Sequence, residues 1–246
     1  MKDWYDDENF WYHLEPFLFD QEKWDGIREE VDQLTGLLRI EQKSKILDLC
    51  CGPGRHTLEF ARRGHQVTGV DRTKRYLKSA KEQAQTEGLN IEFIESDMRL
   101  FKRENTYDAA IMMFTSFGYF ERPADDQKVI KNVYKSLKPG GSFILELVGK
   151  EVLTRIFRKR DWREAHGTFL LEERKPDETW EYLCNRWIIF KDNSKKEFEF
   201  RLRIYSATEL VKLLKECGFQ ETHVYGDLKS SPYNQEANRL VVLACK

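Results

Sequence analysis

The stretch Asp48-Leu49-Cys50-Cys51-Gly52-Pro53-Gly54-Arg55-His56 decides how this chain is read. It continues the short apolar run Lys45-Ile46-Leu47, turns through two glycines and enters a helical pattern at 57–63. A strand closed by an acidic residue, a glycine turn and a helix start, in that order, build a ligand site at the C-terminal end of a β-strand. Gly52 and Gly54 let the backbone come close to a ligand, and the helix start offers N–H groups with no partner inside the helix.

Outward from this loop the chain alternates. Residues 46–49 are a first strand, and Gly64 stops the helix that follows. Residues 66–70 are a second strand, after which Thr73 is the expected N-cap of a helix running to Glu87 and stopped at Gly88. Residues 91–95 and 107–113 are third and fourth strands; the fourth is almost wholly apolar, as a strand covered on both faces should be. A helix over 127–137 is stopped by Lys138-Pro139-Gly140-Gly141, and residues 142–148 form a fifth strand. This rhythm predicts a doubly wound, mostly parallel α/β sheet with the strand C-termini along one edge.

Between about 150 and 205 the rhythm changes. Residues 169–174, 179–190 and 197–205 read as three strands with no helix between them. In the last, Phe198, Phe200, Leu202 and Ile204 alternate with Glu197, Glu199, Arg201 and Arg203, which predicts an antiparallel insertion with one wet face. Ser206-Ala207-Thr208-Glu209 is a capping box that opens a helix ending at Cys217-Gly218. Residues 222–225 and 239–244 are the last two strands, with a short hairpin connection expected at Ser231-Pro232-Tyr233-Asn234. The segment 1–43 is aromatic and acidic. Residues 22–38 carry Trp24, Ile27, Val31, Leu34 and Leu38 at helical spacing, and Trp4, Tyr5, Phe10, Trp11, Tyr12, Phe17 and Phe19 either pack on the core or cover a pocket. The expected division is therefore 1–43 as a helical, aromatic lid segment, 44–149 with 206–246 as the ligand-binding domain, and 150–205 as the β insertion.

The chain has 246 residues and a formal net charge of -1, with 34% charged residues. That balance argues against a nucleic-acid or membrane-surface partner. No apolar run is long enough to span a bilayer, and the acidic N-terminus is unlike a secretory signal. Five cysteines without a CxxC pair argue against a zinc site and a disulfide framework, which leaves a cytoplasmic protein with reduced thiols as the expectation. His13, His65, His166 and His223 are scattered without metal-ligand spacing.

The chemistry rests on three carboxylates at three consecutive strand ends. Asp71 closes the second strand, where a carboxylate takes the hydroxyls of a ribose. Asp97, in Glu95-Ser96-Asp97-Met98, is placed to accept from an adenine amino group. A nicotinamide dinucleotide fits poorly, because Thr57 stands where G-x-G-x-x-G/A needs a small residue and a pyrophosphate makes no use of Asp48. No Gly-Lys-Ser/Thr follows, so the loop is not a P-loop. Asp48 instead suits the sulfonium and ammonium groups of S-adenosylmethionine.

On these residues the sequence resembles the class I S-adenosylmethionine-dependent methyltransferases, Rossmann-like and seven-stranded. Asp48 to Gly54 resembles their glycine motif, Asp71 their ribose-binding acid, and Asp97-Met98 their adenine-binding step. Residues 107–114 resemble their fourth-strand motif, and Leu137-Lys138-Pro139-Gly140-Gly141 the turn before their fifth. The match spans about 40–150 well and 206–246 more loosely; His56 stands where the family often has a third glycine. The resemblance implies a final antiparallel strand beside the fifth. It also implies a cofactor site of Asp48, Gly52, Pro53, Gly54, Asp71, Arg72, Asp97, Met98 and Phe114, with no metal. A similar insertion walls the acceptor pocket in N-methyltransferases acting on amino sugars or glycine.

Methyl transfer is an in-line displacement, so alignment and water exclusion matter more than an obligate catalytic side chain. Tyr119 and Tyr233 are candidates to orient an acceptor, His56 could approach the cofactor carboxylate, and Cys50 and Cys51 are small buried thiols more than nucleophiles. The turn Phe114-Thr115-Ser116-Phe117 replaces the Asn/Asp-Pro-Pro-Tyr of adenine or glutamine N-methylation. The expectation is methyl transfer to nitrogen or oxygen of a small molecule. An RNA methyltransferase, for which the basic run Arg155 to Arg163 would be the contact, and a non-catalytic cofactor-binding subunit are the alternatives. The sequence does not specify an oligomeric state.

Overall fold

The computed structural model describes residues 3–246; Met1 and Lys2, which open the expected lid segment, lie outside the described residues. The first 44 residues hold a short 3-10 turn at Trp4–Asp6 and helices α1 (Glu8–Leu18), α2 (Gln21–Asp25) and α3 (Ile27–Leu38). The single helix expected over 22–38 is thus two, joined at Gly26, whose conformation costs more order than any other residue's. Asp7 and Asp20 cap α1 and α2 through side-chain bonds to the N–H groups of Asn9 and Lys23.

The central part runs β1 (Lys45–Leu49), α4 (Arg55–Arg62), β2 (Gln66–Asp71), α5 (Lys74–Thr86), β3 (Glu92–Glu95), β4 (Tyr107–Met112), α6 (Pro123–Ser136) and β5 (Leu137–Leu147). After α7 (Lys150–Ile156) come β6 (Arg160–Ala165), β7 (Thr168–Pro176), β8 (Tyr182–Lys191) and β9 (Ser194–Arg203). The chain closes with α8 (Ala207–Glu216), β10 (Glu221–Tyr225) and β11 (Leu240–Cys245). The seven-stranded sheet has the order β10-β11-β5-β4-β1-β2-β3. Only β11 runs against its neighbours, pairing antiparallel with both β10 and β5. The four remaining strands form a separate antiparallel sheet, β6-β7-β8-β9.

Alternate residues of the long sheet bury two faces. Leu47, Leu49, Val70, Met112 and Leu145 pack with α6 and α8, while Ile46, Val67, Ile111 and Ile144 pack with α3 and Phe60 of α4. A third cluster joins Phe10, Leu14 and Phe17 of α1 to Leu170, Ile189 and Phe200 on the inner face of the small sheet.

Three further expectations are corrected. Lys138-Pro139-Gly140-Gly141 is not a turn before the fifth strand. It is a bulge within β5, where the pairing with β4 jumps from Tyr107↔Leu137 to Ala109↔Ser142. The insertion has four strands, because the tail of the basic run forms β6, and β8 starts only at Tyr182. Its outer face is exposed to water as expected but not uniformly polar: Trp162 is 63% exposed, and Phe169 and Phe190 are each 41% exposed there. The connection between the last two strands spans 226–239, closed partway by a bridge between Tyr225 and Pro232. Thr73 sits at the N-cap position of α5 without making a side-chain cap bond, whereas the Ser206–Glu209 capping box forms in full.

Candidate active site

The glycine loop leaves β1 through Cys50, which has a positive φ of 66°. The N–H groups of Cys50 and Cys51 both donate to the Val70 carbonyl, at 2.7 and 3.0 Å, pinning the loop to β2. Gly52 (φ 54°) then donates its N–H to Asp71 at 2.9 Å. Gly54 (φ 86°) starts α4, and a Cβ there would press on Ala80 at 3.0 Å. Both glycines thus occupy a backbone region that side chains disfavour.

Asp71 accepts from the Thr73 N–H at 2.8 Å with its other oxygen. Burial raises its pKa, against the pull of the bonds from Thr73 and Gly52. The pairing Asp71↔Glu95 sets β3 alongside, so Asp97 follows two residues later on the same edge. Burial pushes the Asp97 carboxyl up, but the Arg99 side chain and N–H outweigh it and hold the group ionised and below its ordinary pKa. Arg72 pairs with Asp6 and lies 3.7 Å from Asp97, tying the N-terminal turn to the ends of β2 and β3.

One cavity gathers these groups. Gly52, Asp71, Arg72, Asp97 and Met98 line it from the strand ends, Ser116, Tyr119 and Phe120 from the loop after β4, and Tyr76 from α5. Tyr5, Trp11 and Phe19 of the N-terminal segment roof it. The roof is tied down: the Tyr76 hydroxyl donates to the Trp11 carbonyl at 2.8 Å, and the Trp11 indole to the Tyr5 carbonyl at 2.9 Å. Trp4 packs on Tyr119 with ring centroids 4.9 Å apart. Arg72 and Arg99 lie over the Tyr5 ring, at 5.0 and 5.8 Å.

The other sequence candidates stand elsewhere. Asp48 is buried beneath the loop and accepts from the Thr57 hydroxyl at 2.6 Å. Burial raises its pKa, while His56, Thr57 and Arg55 pull the other way. Pro53 and Gly54 do not line the cavity. Phe114 is 39% exposed and lies between Arg55 and Arg239, whose guanidinium carbons are 4.5 and 5.7 Å from its ring centre. His56 is engaged by Glu30 at 3.0 Å. The Tyr233 hydroxyl donates to Glu151 at 2.9 Å, outside the cavity. Tyr119 is on the wall, but burial raises its pKa, so at neutral pH it is a phenol and no base. Burial likewise keeps the Cys50 and Cys51 thiols protonated.

Tyr76 joins the cavity with no sequence signal beyond its helical spacing, and the roofing by Tyr5, Trp11 and Phe19 is legible only as aromatic density. Carboxylates, aromatic walls and an aromatic roof suit a nucleoside-bearing cofactor.

Residues 46–141 match the family model described as a methyltransferase domain. That segment is a methyltransferase domain, and the chain is a methyltransferase that uses S-adenosylmethionine as its cofactor. It is 23% identical over 220 residues to a putative methyltransferase, YqeM, of Bacillus subtilis, covering 84% of this chain and 86% of that one. An S-adenosylmethionine-dependent methyltransferase from Clostridium acetobutylicum has the same fold, with a TM-score of 0.78 at 17% identity over 96% of this chain and 97% of that one. CalS10, an amino pentose methyltransferase from Micromonospora echinaspora solved with S-adenosylmethionine bound, aligns with a TM-score of 0.65 at 20% identity, over 90% and 91% of the two chains. Among the described residues no helix is long and apolar enough to cross a membrane.

Proposed function

We propose that the enzyme moves the sulfonium methyl of S-adenosylmethionine to a nitrogen or oxygen of a small-molecule acceptor. The observation that carries this reading is the cavity at the strand ends. Asp71 and Asp97 line it together with Ser116, Tyr119 and Phe120, under a roof made by the chain's own N-terminal aromatics. Asp71 would take the ribose hydroxyls, Asp97 and Met98 the adenine edge, and Gly52 would admit the methionine backbone. Asp48, with Pro53 and Gly54, would shape the loop from beneath. Arg72 would hold the roof, and Phe114 would border the acceptor's entry.

The residues 3–43 would serve as lid, and the β6–β9 insertion as the acceptor-side wall, since α1 rests on its inner face and the Trp11 ring of α1 lies 6.3 Å from that of Tyr119. Tyr119 would orient an acceptor as a hydrogen-bond donor; Tyr233, held by Glu151, would brace the wall. The reaction asks these groups to align the acceptor with the methyl and to keep water out. The name of an amino pentose methyltransferase among the structural neighbours favours an amine. Five free thiols in reduced form favour a cytoplasmic setting.

The test has two arms. Calorimetry with S-adenosylmethionine and its demethylated product checks the cofactor site, and loss of binding in Asp71→Ala is expected. A methyl-transfer screen against amines, amino sugars, phenols and bulk RNA checks the acceptor; transfer to RNA alone, with a steep salt dependence, would replace the small-molecule reading.

A further inference from the structure

We propose that the outer face of the β6–β9 sheet is the docking surface for a second copy of this chain. The inner face is filled by Phe10, Leu14 and Phe17 of α1, so the outer face is the one left open. Three rows cross the strands at its centre, set by the pairing register, with a shorter fourth row of Lys175, Cys184 and Arg201 at one end. One row reads Arg160, Glu173, Arg186, Glu199. The next reads Trp162, Leu171, Ile188, Glu197, and the third Glu164, Phe169, Phe190, Lys195. Trp162, Phe169, Leu171 and Phe190 count among the most exposed large apolar residues of the protein. An open apolar patch rimmed by charge marks an interaction surface.

The rows also say what covers it. A two-fold axis lying in the interface, parallel to the strands and between β7 and β8, reverses the strand order and keeps each row in place. The charged row then meets itself backwards. Arg160 faces Glu199 of the second copy, and Glu173 faces Arg186. In the third row Glu164 faces Lys195 and Phe169 faces Phe190, while in the middle row Leu171 faces Ile188. Phe169, Leu171, Ile188 and Phe190 thus meet apolar residues, every charge in the first and third rows meets its opposite, and at the edge Trp162 lies against Glu197.

A two-fold axis across the strands through the middle row would instead lay Glu173 and Arg186 on Phe169 and Phe190 and set Glu197 on itself. An isologous contact requires this self-complementarity, and two packed sheets with nearly aligned strands satisfy it. The ion pairs already present within the face, Arg160–Glu173 at 2.9 Å and Arg186–Glu173 at 2.9 Å, hold the charged row in order before docking. The surface lies on the small sheet, apart from the cavity-lining residues, so its occupation is separable from cofactor binding.

The experiment is sedimentation of the full chain over a wide concentration range, with charge variants. A dimer is expected, and Leu171→Asp should make it monomeric while leaving cofactor binding and circular dichroism unchanged. Glu164→Lys alone and Lys195→Glu alone each set two like-charge pairs in the homodimer and should weaken it by about tenfold or more. Mixed together, those two variants should form a heterodimer of near-parental affinity, because each like pair becomes an opposite pair. A parent chain that stays monomeric would overturn the proposal. So would a dimer untouched by Leu171→Asp, or a mixture no tighter than either charge variant alone.

Discussion

Asp71 and Gly52 are joined by a 2.9 Å bond from the glycine N–H to the carboxylate, so the end of β2 holds the shape of the loop that ends β1. The same carboxylate is the proposed ribose acceptor. Its two duties are separable by substitution. Asp71→Ala frees two N–H groups, at Gly52 and Thr73, and removes the proposed ligand. Affinity for S-adenosylmethionine should fall at least about tenfold, near 1.4 kcal/mol, and stability should drop by about 1–3 kcal/mol. Asp71→Asn keeps one acceptor and should recover much of the melting temperature and little of the affinity. Calorimetry and thermal melts read the two effects; affinity that returns in step with stability would show the ribose role to be mistaken.

Gly118 joins the loop after β4 to the small sheet. It has a φ of 89°, accepts from the Arg203 N–H at 2.7 Å, and a Cβ there would overlap the Arg203 carbonyl oxygen. Gly118→Ala should therefore cost more than the usual penalty for a strained backbone, about 1–3 kcal/mol, and should displace Tyr119 in the cavity wall. Turnover should suffer more than cofactor affinity, because Asp71 and Asp97 lie on other strands. Steady-state kinetics beside a cofactor titration would show it.

Asp126, fully buried in α6, has its pKa raised to about 6, chiefly by burial. The Tyr205 hydroxyl, bonded at 2.7 Å, and Arg203, at 3.6 Å, pull it down, and Asp125 adds to the rise. The folded state therefore binds this proton more tightly than the unfolded chain. Its contribution is fully present below the ordinary carboxylate range and is lost as pH rises through about 6, a swing of about 3 kcal/mol in order of magnitude. Asp126→Asn cannot ionise, so its melting temperature should gain on the parent's between pH 5 and pH 8, both pH values being roughly chosen to bracket the transition. A difference that stays flat across that window would mean the carboxyl titrates elsewhere.

Phe10 carries the contact between α1 and the insertion. It is 3% exposed and lies within 5.1 Å of Phe200 and 5.4 Å of Phe198, ring centre to ring centre. Phe10→Ala should cost about 3–5 kcal/mol of local stability. The consequence should be opening of the roof rather than loss of the whole fold, since the main sheet has its own two clusters. Limited proteolysis near Asp20 should speed up, and cofactor should dissociate faster. Proteolysis unchanged from the parent's would show that α1 is held by something other than this cluster.

By itself the sequence determined the α/β sheet, the glycine loop and the acids at its strand ends. Those features are local: an apolar run, a glycine with positive φ and a helix cap each act within a few residues. Asp71 and Asp97 were legible because strand ends fall where the apolar runs stop. What those acids touch was not. Only the tertiary structure turned Asp48 under the loop toward Thr57, clamped Asp97 with Arg99, and carried Tyr5 and Trp11 over a cavity built some fifty to a hundred positions away, about the span from the roof to the loop after β4. The same holds for β6, whose charged sequence has weak strand character until β7 offers it an edge, and for Lys138-Pro139-Gly140-Gly141, a stop signal locally but a bulge once β4 pairs on both sides of it. Side-chain partners distant in sequence leave no period to read, and the proposed acceptor wall is made almost wholly of such partners.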